Sequence, residues 1–217
     1  MTDSKSILDI CTEICGDGID HKWYECDDGN LKNGDGCSSN CTVEYGWQCF
    51  GGSSEQADVC REICGDSIRI EPSNGTAGSL CDDGNVWSND GCSSLCYVEN
   101  GWTCTGGSPT SRDVCTEICG DGLNCGGVQC DDGNLNNLDG CSLNCTVDVG
   151  WYCYGGSKYG PDTCKEICGD GLDFYQYQCD DGNLVNGDGC SSTCMIETGW
   201  QCWGGSPTTR SWCRLLP

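Results

Sequence analysis

The sequence has 217 residues, of which 26 are cysteine, whereas Phe and Met supply only two residues each. So little large apolar surface cannot build a sizeable core, and disulfides must replace burial as the main source of stability. The formal net charge of -24 argues against nucleic acid and anionic membranes as partners. Cysteines at this density persist as disulfides only in an oxidising compartment, so we predict an extracellular or cell-surface protein.

A zinc-thiolate protein is the alternative interpretation of so many cysteines. Zinc sites typically use C-x2-C pairs. The close pairs in this chain are C-x3-C, as in Cys11/Cys15 and Cys37/Cys41, so we favour disulfides.

Residues 1–14 form an N-terminal segment that lacks the charged-then-apolar order of a signal peptide. No apolar run of the sequence reaches the roughly 18 residues that a membrane span needs. We expect no membrane span, and we expect an export signal to have been removed from this chain or left out of it.

Four copies of one unit follow, and each opens with Cys-Gly-Asp. The motif predicts repeats 1 to 4 at residues 15–63, 64–118, 119–167 and 168–217. Each copy continues with Cys-Asp-Asp-Gly-Asn, Asp-Gly-Cys-Ser, a further cysteine and Gly-Trp-x-Cys-x-Gly-Gly-Ser. The second copy has extra residues within 68–80, where Pro, Asn and Gly indicate a surface loop.

The frequent turn residues predict a small disulfide-rich fold of four tandem repeats with short β-hairpins, many turns and little helix. In repeat 1, residues 42–50 and 58–63 are expected to pair across the loop that opens at Gly51. Six cysteines per repeat predict three disulfides, with about fifteen pairings open. Tandem repeats contact mainly their neighbours, and the Glu-Ile linkers between these copies are short, so we predict an elongated rod.

This succession of motifs resembles the myxococcal-type cysteine-rich repeat, in which Cys-Asp-Asp-Gly-Asn, Gly-Asp-Gly-Cys-Ser and Gly-Trp-x-Cys follow one another. The resemblance covers residues 11–213 and implies a large extracellular or surface protein, with no reaction attached. The chain departs from the pattern at Ser67, Asn89 and Leu138, where glycine is expected. These departures affect local turn geometry only.

Acidic residues recur at the same places in every repeat, on loops held by cysteines. Hard oxygen ligands of this kind suit Ca2+, so we predict four equivalent calcium sites. The alternative is that these residues only form turns, with Asp side chains bonded to nearby amides. The spacing is not that of an EF-hand. The predicted ligands are Asp17, Asp27, Asp28, Asn30 and Asp35, then Asp66, Asp82, Asp83, Asn85 and Asp90, then Asp121, Asp131, Asp132, Asn134 and Asp139, then Asp170, Asp180, Asp181, Asn183 and Asp188.

Three N-x-[ST] sequences predict N-glycans at Asn40, Asn74 and Asn144. Cysteine fills the middle position of the first and third, so Asn74 in the inserted loop is the clearest acceptor. The tryptophans of the four Gly-Trp pairs are expected to pack against disulfides rather than to stack on sugars.

Two cysteines fall outside the predicted pairs of the four repeats, Cys11 and Cys125. An unpaired cysteine in a secreted chain suggests a bridge between chains. Cys11 occupies the closing position of a repeat that is not there, so one interpretation is a head-to-tail assembly of copies. A free thiol or a neighbouring domain is the other interpretation.

His21 is the only histidine, so no catalytic triad or His-ligated metal site can be assembled. We expect no enzyme. The leading hypothesis is a structural extracellular protein, part of a surface coat, stalk or filament, stabilised by disulfides and also by Ca2+ and glycans. Its expected partners are copies of itself or other extracellular proteins. The alternative is an adhesion module that recognises a glycan or a protein.

Overall fold

A computed structural model of the chain describes residues 12–70 and 80–217. Within these ranges the regular structure consists of short strands, with no helix. The strands are β1 (Trp47–Phe50), β2 (Val59–Glu62), β3 (Trp102–Thr105), β4 (Val114–Glu117), β5 (Trp151–Tyr154), β6 (Thr163–Glu166), β7 (Trp200–Trp203) and β8 (Trp212–Leu215). They pair as β1–β2, β3–β4, β5–β6 and β7–β8, one hairpin near the end of each repeat. The predicted small disulfide-rich fold with four hairpins is confirmed.

Each hairpin has an inner and an outer face, because side chains alternate along a strand. In β1, Trp47 and Cys49 are partly buried, whereas Gln48 and Phe50 are exposed. Cys49 lies directly opposite Cys60 on β2, and the two half-cystines form a disulfide with a Cα–Cα distance of 4.0 Å. The inner face therefore carries a covalent bond across the two strands.

The same disulfide connectivity occurs in every repeat, so one of the open pairings is selected four times. The first cysteine bonds to the fourth, the second to the third, and the fifth to the sixth. The bridges are 15–41, 26–37 and 49–60, then 64–96, 81–92 and 104–115, then 119–145, 130–141 and 153–164, then 168–194, 179–190 and 202–213. Closing a loop of such length stabilises a chain by about 3 kcal/mol in the loop-entropy model.

The core of each repeat consists of half-cystines rather than aliphatic side chains. Cys26, Cys37 and Cys41 are at most 1% exposed and form one cluster. The hairpin packs onto this cluster through Gly36 of the Asp-Gly-Cys-Ser motif. A Cβ atom at Gly36 would lie 2.8 Å from the Trp47 ring and closer still to Cys60. Trp151 and Trp200 contact Gly140 and Gly189 in the same way, so these three Gly-Trp tryptophans pack against their repeats, as expected from the sequence.

The chain divides into two compact units, residues 1–98 with 104–115 and residues 99–103 with 116–217. The first unit contains the disulfides of repeats 1 and 2, and the second contains those of repeats 3 and 4. Neither unit has, within the described ranges, a helix suited to crossing a membrane.

Consecutive repeats within a unit meet at an inter-repeat joint, which we define as the contact of the Gly-Trp glycine with apolar residues of the next repeat. In the second unit, the Cα of Gly150 faces Phe174 and Leu172, and a Cβ there would lie 2.8 Å from the Phe174 ring. The rings of Trp151 and Phe174 are 5.3 Å apart. Gly46 faces Ile68 and Ile70 in the same way in the first unit; because its φ is +81°, this position suits glycine.

Candidate functional site

The first Asp of each Cys-Asp-Asp-Gly-Asn motif is a buried internal acceptor. Asp27 is 0% exposed. Its Oδ1 accepts hydrogen bonds from the amides of Gly18 and Gly29, both at 2.9 Å, and its Oδ2 accepts one from Gly16 at 2.7 Å. Charged acceptors form strong bonds of this kind. The equivalent carboxylates with the same three bonds are Asp82, Asp131 and Asp180.

A second acceptor comes from the hairpin and fastens it to this loop. The Asp58 carboxylate accepts from the amides of Gly52 at 2.8 Å and Asp27 at 3.0 Å, and the Asp58 amide donates to the Asp27 carbonyl at 2.7 Å. Asp113 and Asp162 repeat the arrangement. The sequence does not mark these residues as acceptors, because the Asp27 amide and its equivalents lie 31 positions away.

The residue that faces this second acceptor changes from repeat to repeat while the contact is kept. Arg69 Nη1 lies 3.1 Å from Asp113, and Asn124 Nδ2 donates to Asp162 at 2.7 Å. In repeat 4 the two roles are exchanged: Ser211 stands at the position of the second acceptor, and its hydroxyl donates to the carboxylate of Asp173 at 3.4 Å. An alignment of the four repeats contains a signal of this contact, because the residues at both contacting positions change between the repeats.

Hydrogen bonding changes the pKa of Asp162, the second acceptor of repeat 3. Burial alone would raise the pKa of Asp162, but the Asn124 amide and the backbone amides of Asp131 and Gly156 hold it below the ordinary value of 3.8. The ionised form of Asp162 is therefore the form that stabilises the hairpin.

The second Asp of the motif has different surroundings from the first. In repeat 4, the Asn183 amide donates to Asp181 Oδ1 at 3.1 Å and to Asp188 Oδ2 at 3.2 Å, so one side chain bridges the two carboxylates. Burial, and then the Asp188 carboxylate, raise the pKa of Asp181. The pKa values of Asp28, Asp83 and Asp132 are raised for the same reasons.

One oxygen of this carboxylate pair has no hydrogen-bond partner although it is buried. It is Oδ1 of Asp35 in repeat 1, and Oδ1 of Asp139 and Asp188 in repeats 3 and 4. A buried polar atom without a partner costs about 1–3 kcal/mol. Of the predicted calcium ligands of repeat 4, Asp181, Asn183 and Asp188 are brought together, and Asp28, Asn30 and Asp35 are their equivalents in repeat 1. The first of each set stands apart, as Asp17 closes a turn onto the Ile19 amide at 3.0 Å.

A third acceptor, also missed in the sequence, positions the loop that carries Asp35. The Glu44 carboxylate accepts from the amides of Gly34, Asp35 and Gly36 at 2.7–3.1 Å. Glu197 does the same in repeat 4 and Asp148 in repeat 3. The acidic composition thus has a structural role in a fold with few backbone ladders.

The clusters of one Asp and two Cys residues do not provide sulfur ligands for a metal ion. In three repeats the first Asp lies within 4.8 Å of two half-cystines, as Asp131 does beside Cys119 and Cys145. These sulfurs are joined in a disulfide. No thiolate is left there to bind a cation.

Two of the three predicted glycosylation residues, Asn40 and Asn144, lie on equivalent exposed loops. Asn40 and Asn144 are exposed next to the fourth cysteine of their repeats. The Thr42 hydroxyl of the first sequon bonds to the Ser38 hydroxyl at 2.7 Å. Asn74 and also Cys11 lie outside the described residues.

Cys125 is the one free cysteine of the described chain, and its position explains it. It occupies the inter-repeat joint, where a Cβ at Gly101 would lie 3.2 Å from its sulfur. Ile70 and Phe174 fill the same place in the other joints. Burial, and then the Glu117 carboxylate, raise the pKa of the Cys125 thiol. Cys125 thus acts as a packing residue, and its raised pKa disfavours the thiolate.

The repeated disulfides, hairpins and carboxylate–amide bonds define the chain as a disulfide-stabilised repeat protein. A family model described as a domain of unknown function, DUF4215, matches residues 3–42, 99–146 and 149–195, more than half of the chain. The chain belongs to this family. Two of the matches begin just before a hairpin and end in the next repeat, so each spans a joint. No curated protein matches the chain.

Proposed function

We propose that the chain is a structural extracellular module, a segment of a surface coat, stalk or filament, that acts by holding a fixed shape. The observation that carries this proposal is that all four repeats close on themselves by the same three disulfides. Many disulfides are consistent with an extracellular protein. The finer assignment to the myxococcal-type repeat belongs to the same proposal.

The joints support a stiff module because polar bonds accompany their apolar contacts. Glu166 ends β6 and is 0% exposed. Its carboxylate accepts from the Gln176 amide of the next repeat at 3.3 Å, and its carbonyl accepts from the Tyr177 hydroxyl at 3.2 Å. Glu117 accepts from the amides of Cys125 and Gly127 in the same way. Two short strands and one glutamate thus hold the following repeat in place.

We also propose that Ca2+ binds between the paired carboxylates of each repeat. Asp28, Asn30 and Asp35 would hold it, with their equivalents in the other copies, and its charge would offset the like-charge pair. The support is the buried Oδ1 of Asp35, which has no other partner. Asp27 is left out of this site, since its oxygens already accept three amides.

The other elements of the proposal rest on composition. We propose no catalytic activity, since the single histidine, His21, is exposed and many acids are engaged with backbone amides. N-glycans on Asn40, Asn74 and Asn144 and association with copies of the chain, head to tail, or with other extracellular proteins fit a coat or filament. Recognition of a glycan or a protein by the loops is the rival proposal.

Electron microscopy of the purified chain separates the two proposals. A structural role predicts elongated particles and end-to-end or lateral assemblies. Dispersed single particles, together with selective binding on a glycan array, would instead support adhesion. EDTA should lower the melting temperature because Ca2+ that binds the folded state alone stabilises it by mass action.

A further inference from the structure

The basic residues of this acidic chain are concentrated on the hairpins. Six of its ten Lys and Arg residues lie there: Arg61, Arg112, Lys158, Lys165, Arg210 and Arg214. All six are exposed. Most of the 34 acidic residues lie outside the hairpins, and residues 200–217 contain none. The first and second hairpins carry one Arg each and more acidic than basic residues, so the basic surfaces are those of the third and fourth hairpins.

The outer face of the fourth hairpin combines these charges with exposed aromatic rings. Trp203 and Trp212 lie directly opposite each other across β7 and β8 and are 49% and 55% exposed. The guanidinium of Arg214 lies 5.5 Å from the Trp203 ring centroid, and that of Arg210 lies 4.6 Å from the Trp212 centroid. Stacking on a ring face leaves the N–H edge of a guanidinium able to bind carboxylates.

The third hairpin has a second face of the same kind. Tyr152 and Tyr154 project outward from β5, about half exposed, with near-parallel rings 5.7 Å apart. Lys165 on β6 lies 5.7 Å from the Tyr154 ring. The acidic residues of this hairpin, Asp162 and Glu166, are buried and do not cancel its surface charge. Trp, Tyr and Arg are the residues that dominate binding energy at protein interfaces.

We propose that the outer faces of the third and fourth hairpins bind the acidic loops of a second copy of this chain. Charge complementarity selects this occupant. The same chain exposes an Asp on the Cys-Gly-Asp loop of repeats 1, 3 and 4, at Asp17, Asp121 and Asp170, whereas Asp66 of repeat 2 is only partly exposed. Both basic faces and the loops of Asp121 and Asp170 belong to the two consecutive repeats of the second unit, so a lateral contact can be made at two repeats at once. This inference rests on the proposed structural function and names the surface that such an assembly uses.

The test measures the mass of the full chain by analytical ultracentrifugation near 0.15 M salt. Screening over about 8 Å then weakens the long-range repulsion between acidic copies while close contacts survive. We expect oligomers that dissociate at about 1 M salt, where screening shortens to about 3 Å. The combined variant Trp203→Ser, Trp212→Ser, Arg210→Ser and Arg214→Ser should be monomeric, with at least a tenfold weaker association.

Trp87→Ser is the matched control, because Trp87 is 74% exposed but lies outside the hairpins, and it should associate like the unchanged chain. The conservative Arg210→Lys, Arg214→Lys variant keeps the charge and should retain part of the association. Unchanged oligomers in the fourfold variant, with its melting temperature preserved, would overturn the hairpin surface and leave the structural function standing. A chain that is monomeric in every condition would overturn both, and binding of a glycan by these faces without oligomers would replace the occupant.

Discussion

Asp131 and Asp132 are neighbours with the same charge, but their surroundings differ. Asp131 is 1% exposed and accepts hydrogen bonds from the amides of Gly120, Gly122 and Gly133, so its carboxylate joins the Cys-Gly-Asp loop to the turn after Asp132. Asp132 faces a second carboxylate, Asp139, and its pKa is raised by burial and then by that charge. Hydrogen-bond donors surround the carboxylate of Asp131, whereas the carboxylate of Asp132 lies near a like charge. This contrast allows a matched pair of substitutions.

Asp131→Asn should destabilise the protein by about 2–4 kcal/mol, because an amide cannot accept all three bonds and places N–H groups against donors. Asp132→Asn in EDTA should be neutral or stabilising, because it removes a like charge beside Asp139. Urea unfolding of the two variants in the same buffer measures both changes. Equal losses of stability in the two variants would show that the buried carboxylate has no special role.

A glycine of the Asp-Gly-Cys-Ser motif offers a second prediction at this scale. A Cβ at Gly140 would lie 2.9 Å from the Trp151 ring, at a φ of +121°. Gly140→Ala should cost about 3 kcal/mol or more, as overpacking adds to backbone strain. Gly155→Ala is the control, because Gly155 has a φ of +88° and open space around it, so only about 1–2 kcal/mol is expected. A difference of less than 1 kcal/mol in thermal unfolding would contradict the packing of hairpin on repeat body.

The inter-repeat joint explains the presence of Cys125, which is unusual in the sequence because the repeat pattern leaves it without a partner. Cys125 stands where the other joints have Ile70 and Phe174, and it faces Gly101 as they face their own glycines. The sequence marks it as an odd cysteine, which suggests a bridge between chains. Its equivalence to apolar residues becomes clear only when the joint is seen.

Cys125→Ile should therefore fold with equal or higher stability, because isoleucine is accommodated at the equivalent place in the first unit. Non-reducing electrophoresis should give the same band pattern for this variant as for the unchanged chain. Cys164→Ser is the contrasting variant, as it breaks the bridge to Cys153 and should cost about 2–5 kcal/mol. If a disulfide-linked oligomer of the unchanged chain were lost in the Cys125→Ile variant, Cys125 would form an interchain bridge after all.

At the scale of the whole molecule, the sequence predicted the elements well because repetition exposed them. Four copies of one cysteine and glycine pattern locate the hairpins within a few residues, as β5 and β6 show. Pairing of cysteines could not be predicted, since spacing alone permits many connectivities. The role of Asp58 could not be predicted because it binds the amide of Asp27, which lies 31 positions away, and that of Glu44 because no sequence motif pairs it with the loop 8–10 positions before it.

Raised carboxylate pKa values predict an unusual pH profile for the calcium-free protein. Asp28, Asp83, Asp132 and Asp181 have folded-state pKa values above the ordinary 3.8, so their ionisation penalises the fold. The penalty is full above the raised values and disappears as pH falls toward 3.8. Asp162 has a lowered pKa, and its contribution is lost only as pH falls through that lower value. Stability in EDTA should therefore rise on mild acidification and fall in stronger acid.

Calorimetry across this pH range, with and without Ca2+, checks the prediction. Ca2+ should raise the melting temperature most at neutral pH and progressively less in acid, because protons compete for the paired carboxylates. The Asp132→Asn, Asp181→Asn variant should show a shallower rise. Stability that falls steadily from neutral pH in EDTA, with no effect of Ca2+ at any pH, would exclude these pairs as a cation site.

Each repeat is closed by its own three disulfides, and the proposed structural function depends on this closure. The most direct test is mass spectrometric mapping of the unreduced protein, with free thiols alkylated first and digestion in acid to prevent exchange. We expect the first-to-fourth, second-to-third and fifth-to-sixth pairs in all four repeats, with Cys125 alkylated. Bridges between cysteines of different repeats, or alkylation at cysteines of the twelve pairs, would contradict it.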